Sequence, residues 1–219
     1  GFHSSGWGTS SAQLTDAIFA NFVQGHNLLS LHGLYYTTKG GRWEWAPPCN
    51  HFHEPYWVDM KSLLECSERL GYILSQGYHV ADVAVLYPVE PVVAGYGDGA
   101  VRTAFDAGEK LYRDGIDFDF IDYESLARAK VKNGMFEVSG ERYRVIVMPS
   151  MKAIQHVSLE KIRQFASQGG VVINIGDLPE ATPAEGRNGK VLKRVLSDIF
   201  RKGRPNVHEL VSSDAVAET

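Results

Sequence analysis

Apolar positions along this chain switch between helical and strand periods, and each switch falls at a stop signal. Residues 9–11 offer N-caps for a helix in which Leu14, Ala17, Ile18 and Phe22 recur at helical spacing, with Gly25 in the C-terminal stop position. A short apolar run, residues 27–31 (NLLSL), is expected to be a buried strand ending at His32 and Gly33. The clearest helix is expected over residues 59–76. There Met60, Leu63, Leu64, Ser67, Leu70 and Leu74 make one stripe, and Gly77 closes it. Between that strand and that helix runs a 25-residue connection, residues 33–57. Helix, strand, long loop, helix is a β/α pattern. Its loop leaves the carboxyl end of the strand, which is the end where barrels and open α/β sheets bind ligands.

A second unit is expected from residue 78 onward. Strands are expected at 80–87 (VADVAVLY), 118–121, 136–138, 143–148, 171–175 and 207–210, and helices at 101–113, 124–129, 159–167 and 191–201. Ser139, Gly140 and Glu141 read as the turn of a hairpin, and Ser158 as a helix cap. Near-continuous Val and Ile strands alternating with helices imply a parallel sheet covered on both faces. The expected fold class is therefore α/β. A partial β/α, TIM-barrel-like segment (residues 1–77) precedes a doubly wound, flavodoxin-like or amidotransferase-like domain (residues 78–219).

Composition narrows the function classes. The 219 residues are 44% hydrophobic and 22% charged, with a net charge of −4, an ordinary globular balance. No basic cluster longer than Arg201-Lys202 offers a footprint for nucleic acid. No apolar run approaches the length of a membrane span. Cys49 and Cys66 lack metal-type spacing and are read as two free thiols. The chain opens at Gly1 without Met or a signal-peptide pattern, and closes after a strand-like stretch at 206–211. We therefore expect a piece of a longer protein.

The candidate chemistry sits in the long connection. A structureless loop of that length is usually functional or disordered, and disordered segments are short of aromatics. This one holds Tyr35, Tyr36, Trp43, Trp45, Phe52, Tyr56 and Trp57, with Arg42, Glu44, His51, His53 and Glu54 among them. Trp43 and Trp45 bracket Glu44, a pattern that suits a sugar: aromatic faces stack on apolar ring faces while carboxylates and histidines pair with hydroxyls. The candidate binding residues are His32, Tyr35, Tyr36, Trp43, Trp45 and His51. Glu44 and Glu54 are the candidate acid/base groups, because glycoside hydrolysis needs a carboxylate pair flanking the bond. His51 and His53 alone do not complete a zinc site, and no metal is expected. A sheet-edge or mini-core role is the competing reading for His32 and for the tryptophans.

The second unit fails each motif test. The turn after its first strand, Pro88-Val89-Glu90-Pro91, is not a phosphate-binding turn, and glycines 95, 97 and 99 lack the strand-abutting arrangement of a nucleotide cradle. Ser150-Met151-Lys152 supplies neither a cysteine nor a GxSxG elbow. This unit is expected to support rather than to catalyse.

Gly6-Trp7-Gly8, then Gly25-His26-Asn27-Leu28-Leu29 and His32-Gly33-Leu34-Tyr35-Tyr36, resemble the end of the catalytic domain in family 106 of the glycoside hydrolases, the α-L-rhamnosidases. Pro47-Pro48, Tyr56-Trp57 and the VADVAVLYP stretch at 80–88 continue the resemblance. It covers most of residues 6–90; beyond 90 only a general plan matches, an α/β domain after a (β/α)₈ barrel. The resemblance implies hydrolysis of polysaccharide side chains by a bacterial enzyme, periplasmic or extracellular in its parent form. It implies no cofactor beyond the calcium that some members bind. Carbohydrate is the expected partner, and neither nucleic acid nor a membrane is.

One β/α unit is far short of a barrel. The principal carboxylates are therefore expected upstream of Gly1, and this chain alone is expected to be inactive. Leu28, Leu29 and Leu31 are expected to be buried against residues after Val80 or across a dimer contact; a homo-oligomer or contact with the missing barrel is the expected assembly. Two alternatives stand beside this reading. One is a carbohydrate-binding module without turnover; the other is an amidotransferase-like scaffold for interaction or oligomerisation.

Overall fold

The computed structural model describes residues 8–31, 33, 34, 37, 39, 40, 50–182, 189–200 and 205–210. The chain divides into two compact units, Gly1–Gly77 and Tyr78–Thr219.

The first unit is built on two helices. Helix α1 (Ser11–Val23) begins at a reciprocal cap. The Gln13 amide N–H donates to Ser10 Oγ at 3.3 Å, and the Ser10 N–H donates to Gln13 Oε1 at 2.9 Å. A 3₁₀ turn (Pro55–Asp59) leads into α2 (Met60–Leu74). Ser11 Oγ donates to Asp59 Oδ2 at 2.5 Å and ties the two helix starts together. Leu14, Ile18 and Phe22 meet Tyr56, Met60 and Leu63 in a small core, against which Leu29, Leu31 and Leu70 pack half-buried.

Three expectations for this unit are corrected. Residues 27–31 carry no strand ladder among the described residues, because a strand forms only against a pairing neighbour. Leu28 is 85% exposed instead of covered, whereas Leu29 and Leu31 lean on the unit's own core. The α2 stripe is buried only through Met60 and Leu63; Leu64 and Leu74 face water.

The second unit holds a five-stranded, all-parallel sheet of strands β1 (Val83–Leu86), β2 (Phe118–Ile121), β6 (Val145–Met148), β7 (Val171–Ile175) and β8 (Val207–Leu210), in the order β2-β1-β6-β7-β8. Strand alternation sends side chains to two cores. Ala84, Leu86, Ile146, Met148 and Val172 face α5 (Tyr123–Arg128), α6 (His156–Ser167) and α7 (Gly189–Ile199). Val83, Val85 and Val147 face the opposite layer, where α4 (Gly99–Arg113) contributes Ala104 and Ala107. A short helix, α3 (Val89–Val93), follows β1 directly.

The run at 143–148 is not one strand. Chain direction breaks at Arg144, whose N–H, like that of Val145, donates to the Asp82 carbonyl. Tyr143 thus ends a small antiparallel sheet of β3 (Lys130–Lys132), β4 (Met135–Val138) and β5 (Glu141–Tyr143), and Val145 starts β6. Two tight turns close this sheet. Asn133-Gly134 and Ser139-Gly140 both sit at positive φ, as the twist of two-residue hairpins requires. Ser158 is not the α6 cap. That place belongs to Gln155, and Ser158 lies in the first turn, fully buried.

Candidate functional site

Of the residues proposed for the sugar pocket, His32, Tyr35, Tyr36, Trp43, Glu44 and Trp45 lie outside the described residues. His51 and Glu54 can be placed, and both belong to a tight turn before α2. The Asn50 N–H donates to the Gly33 carbonyl at 3.0 Å, in an isolated parallel bridge between Leu34 and Asn50. The Glu54 N–H then donates to the His51 carbonyl at 2.9 Å, and the Trp57 N–H to the Glu54 carbonyl at 3.0 Å, winding the chain into the 3₁₀ turn. Tyr56 is buried beneath and donates its hydroxyl to Asn50 Oδ1 at 3.3 Å.

His51 is only 2% exposed. Its Nδ1 accepts the His53 backbone N–H at 3.2 Å, so the neutral ring carries its proton on Nε2. Nε2 is buried and has no hydrogen-bond partner. Burial, and then the charge of His53, lower the His51 pKa and keep the imidazole neutral. The result is a buried, neutral imidazole whose Nε2–H is unpaired. Glu54, half-buried at the start of the 3₁₀ turn, has its pKa raised by burial, which is the direction a proton-donating carboxyl needs.

Beside this turn an open groove of about 760 Å³ runs along Leu29, Ser30, Leu31, Leu34 and the first half of α2. Its walls are apolar, with Leu29, Leu31, Leu34, Trp57 and Leu64, and its charges, Lys61, Glu65 and Glu68, line one helix.

In the second unit the carboxyl edge of the sheet gathers polar side chains that the sequence did not single out. At β1 the connection to β2 runs to one side while β6 lies on the other, so the β1/β6 boundary is the switch point at which such sheets bind ligands. Glu90, on α3, accepts a hydrogen bond from the Gln155 side chain, and its Oε2 is buried without a partner. Burial raises its pKa to about 7, against the opposing effect of its own backbone amide and Gln155, and nearby Asp122 raises it further. Tyr123 is buried alongside, with its hydroxyl 3.9 Å from Met151 Sδ. A carboxylate wedged between prolines directly after a strand was the available signal. Ser150 is structural: its Oγ accepts the Asp177 N–H at 3.0 Å. Asp119, on β2, accepts from the Tyr143 hydroxyl at 3.1 Å and pairs with His79 Nδ1 at 3.0 Å.

Comparison with known proteins settles the family. The model of the α-L-rhamnosidase family, family 106 of the glycoside hydrolases, matches residues 4–218. The chain belongs to that family. A protein of Formosa agariphila named as a β-glucuronidase is 30% identical over 130 residues. That match takes in 59% of this chain and 10% of the relative, so the chain spans about a tenth of the curated relative's length. Among solved structures, a β-galactosidase from Bifidobacterium adolescentis is similar at 17% identity and a TM-score of 0.40, over 54% of each chain. Gan42B, a family 42 β-galactosidase, is similar at 16% identity and a TM-score of 0.42, over 56% of this chain and 18% of its own. This glycoside hydrolase family domain therefore has a mixed α/β fold with a parallel sheet. Among the described residues no helix is long and apolar enough to cross a membrane.

Proposed function

We propose that this chain is the C-terminal part of a bacterial α-L-rhamnosidase-like enzyme that removes side chains from polysaccharides. Residues 1–77 then form the closing β/α portion of its catalytic barrel. Residues 78–219 form an accessory domain of flavodoxin-like or amidotransferase-like type, and the strand order β2-β1-β6-β7-β8 supports that assignment. The reading draws its family from the match over residues 4–218. The single structural observation that carries the sugar assignment is His51, a buried and neutral imidazole whose Nε2–H has no partner. A hydroxyl oxygen of a bound sugar is the acceptor it fits.

In this reading the loop at 33–57 supplies the last wall of the pocket. His32, Tyr35, Tyr36, Trp43, Trp45 and His51 bind the sugar, with stacking from the aromatics and hydrogen bonds from the histidines and tyrosines. Glycoside hydrolysis passes one proton to the leaving oxygen while water, directly or after a covalent intermediate, delivers its oxygen to the anomeric carbon. Glu54, whose pKa burial raises, is one candidate for the donor role, and Glu44 is the second in this chain. The principal carboxylates belong to the preceding part of the barrel, and residues 1–219 alone do not turn over substrate. No cofactor is assigned to this chain, and calcium is possible in the parent enzyme.

The test compares the encoded protein with residues 1–219 on aryl α-L-rhamnosides and aryl β-galactosides. Turnover of the rhamnoside by the encoded protein only is the expected result. Equal turnover by the 219-residue chain would move the carboxylates into it. Sugar binding without turnover by either would favour a carbohydrate-binding module.

A further inference from the structure

We propose that the pocket on the outer face of the small antiparallel sheet binds the carboxylate of an acidic saccharide, with Arg128 and Lys130 holding the anion and Tyr78 supporting the sugar ring. The inference rests on the glycosidase reading above and deepens it, adding a subsite away from the chemistry and the charge of the polysaccharide it holds.

Strand register builds the site. Lys130 on β3 lies opposite Glu137 on β4, which lies opposite Arg142 on β5. Residues opposite one another share a face of the sheet. The neighbouring row, Val131, Phe136 and Tyr143, packs into the core, so Lys130, Glu137 and Arg142 stand on the solvent side. Together with Arg128, at the end of α5, and the Ser139-Gly140 turn they line a pocket of about 340 Å³. That is the volume of roughly 11 water molecules at about 30 Å³ each, the size of one sugar residue.

The charges leave an excess of cation. Arg128, Lys130 and Arg142 line the pocket against two carboxylates, Glu137 and Glu141. Both carboxylates are engaged. Glu137 Oε1 pairs with Arg142 Nε at 3.5 Å, and Glu141 Oε2 accepts the Tyr143 hydroxyl at 2.8 Å. Among the described residues Lys130 has no ion pair. Arg128 Nη2 donates to Ser125 Oγ at 2.8 Å, which leaves most of its fork free, and its charge is felt by Asp122. A planar guanidinium beside an ammonium suits the two oxygens of a carboxylate.

Tyr78 supplies the apolar surface. Gly140 sits at φ +96°, and a Cβ there would collide with the Tyr78 ring. The glycine thus lets that ring rest on the turn lining the pocket, where Tyr78 is 68% exposed. An exposed ring beside charged groups and the Ser139 hydroxyl offers a sugar both stacking and hydrogen bonds. An acidic peptide is the poorer occupant, because a carboxylate on a flexible side chain gains little from the ring.

Affinity electrophoresis of the encoded protein in native gels containing polygalacturonate, against polymer-free gels, tests the proposal. The polymer should retard the wild type, and its methyl-esterified form should not. Arg128→Gln combined with Lys130→Gln should weaken binding by about 10- to 100-fold. Tyr78→Ala should weaken it by about 3- to 10-fold. All three side chains are exposed, so these variants should stay folded by circular dichroism. Equal affinity of the double variant and the wild type overturns the proposal. Equal retardation by poly-L-glutamate makes the pocket a peptide-docking surface, and by a sulfated galactan removes the preference for carboxylate; either overturns it. Binding unchanged in Tyr78→Ala removes the sugar ring, with the same consequence. Aryl rhamnoside turnover measured on the same samples separates the two readings, and the double variant should match the wild type in it. Retardation of the wild type without turnover removes the glycosidase assignment and keeps the subsite, and turnover without retardation does the reverse.

Discussion

Glu90 offers the sharpest test of the second unit. In the folded protein burial raises its pKa from 4.5 to about 7, whereas an unfolded chain returns it to the ordinary carboxylate value. The unfolded state therefore releases the proton first. Stability from this group is complete below about pH 4.5 and is lost as pH rises through about 7. A difference of about 2.5 pH units corresponds to about 3.4 kcal/mol at 1.36 kcal/mol per unit. Glu90 is only half-buried, and solvent screening reduces the usable effect to about 1–2 kcal/mol. Glu90→Gln keeps the shape of the protonated acid and cannot ionise. Relative to wild type it should gain about 1–2 kcal/mol between pH 5 and pH 8. All four tryptophans precede residue 58, so their fluorescence does not report this unit. Urea unfolding followed by far-UV circular dichroism, with hydrogen exchange at Val83 to Leu86, is the suitable assay. A wild-type minus variant difference that stays flat from pH 5 to pH 8 would refute the reasoning.

Other substitutions probe the rest of the frame. Gly134 sits at φ +69° and a Cβ there would lie 2.8 Å from the Gln168 carbonyl oxygen; Gly134→Ala should cost about 1–3 kcal/mol, read as a lowered thermal midpoint. Ser10→Ala removes the reciprocal cap of α1 and should cost about 1 kcal/mol in denaturant unfolding of the first unit. Phe136→Ala empties a fully buried site packed against Phe165, with ring centroids 5.1 Å apart, and should cost about 3–5 kcal/mol by chemical denaturation.

Much of the fold was legible because it depends on local period and punctuation. The positions of α1, β2, β7 and β8 follow from apolar spacing and from caps such as Ser10 and the stop at Gly25. What escaped depends on partners distant in sequence. The NLLSL run has strand composition but no neighbour to pair with, and composition alone cannot report that. Tyr143 and Val145 read as one strand, yet the backbone donates twice to the Asp82 carbonyl and divides them between two sheets. Lys130–Lys132 is too polar to read as a strand until the Asn133-Gly134 turn lays it beside β4.

The candidate site was legible in kind and less so in detail. The loop's aromatic and histidine content drew attention to His51. Its tautomer and its orphaned Nε2 required the His53 amide, which only coordinates reveal. Glu90 was passed over because its proline-flanked turn was tested only for phosphate binding. A carboxyl group's proton affinity is set by its burial and by the groups around it, here Gln155 and Asp122, which lie far from it in sequence.

Turnover of an aryl α-L-rhamnoside by the encoded protein, wild type against His51→Ala, tests the central claim most directly. Loss of one buried hydrogen-bond donor to the sugar should lower kcat/KM by roughly 10- to 100-fold, with the protein still folded by circular dichroism. An encoded protein that hydrolyses the rhamnoside equally well with alanine at position 51 would contradict the account.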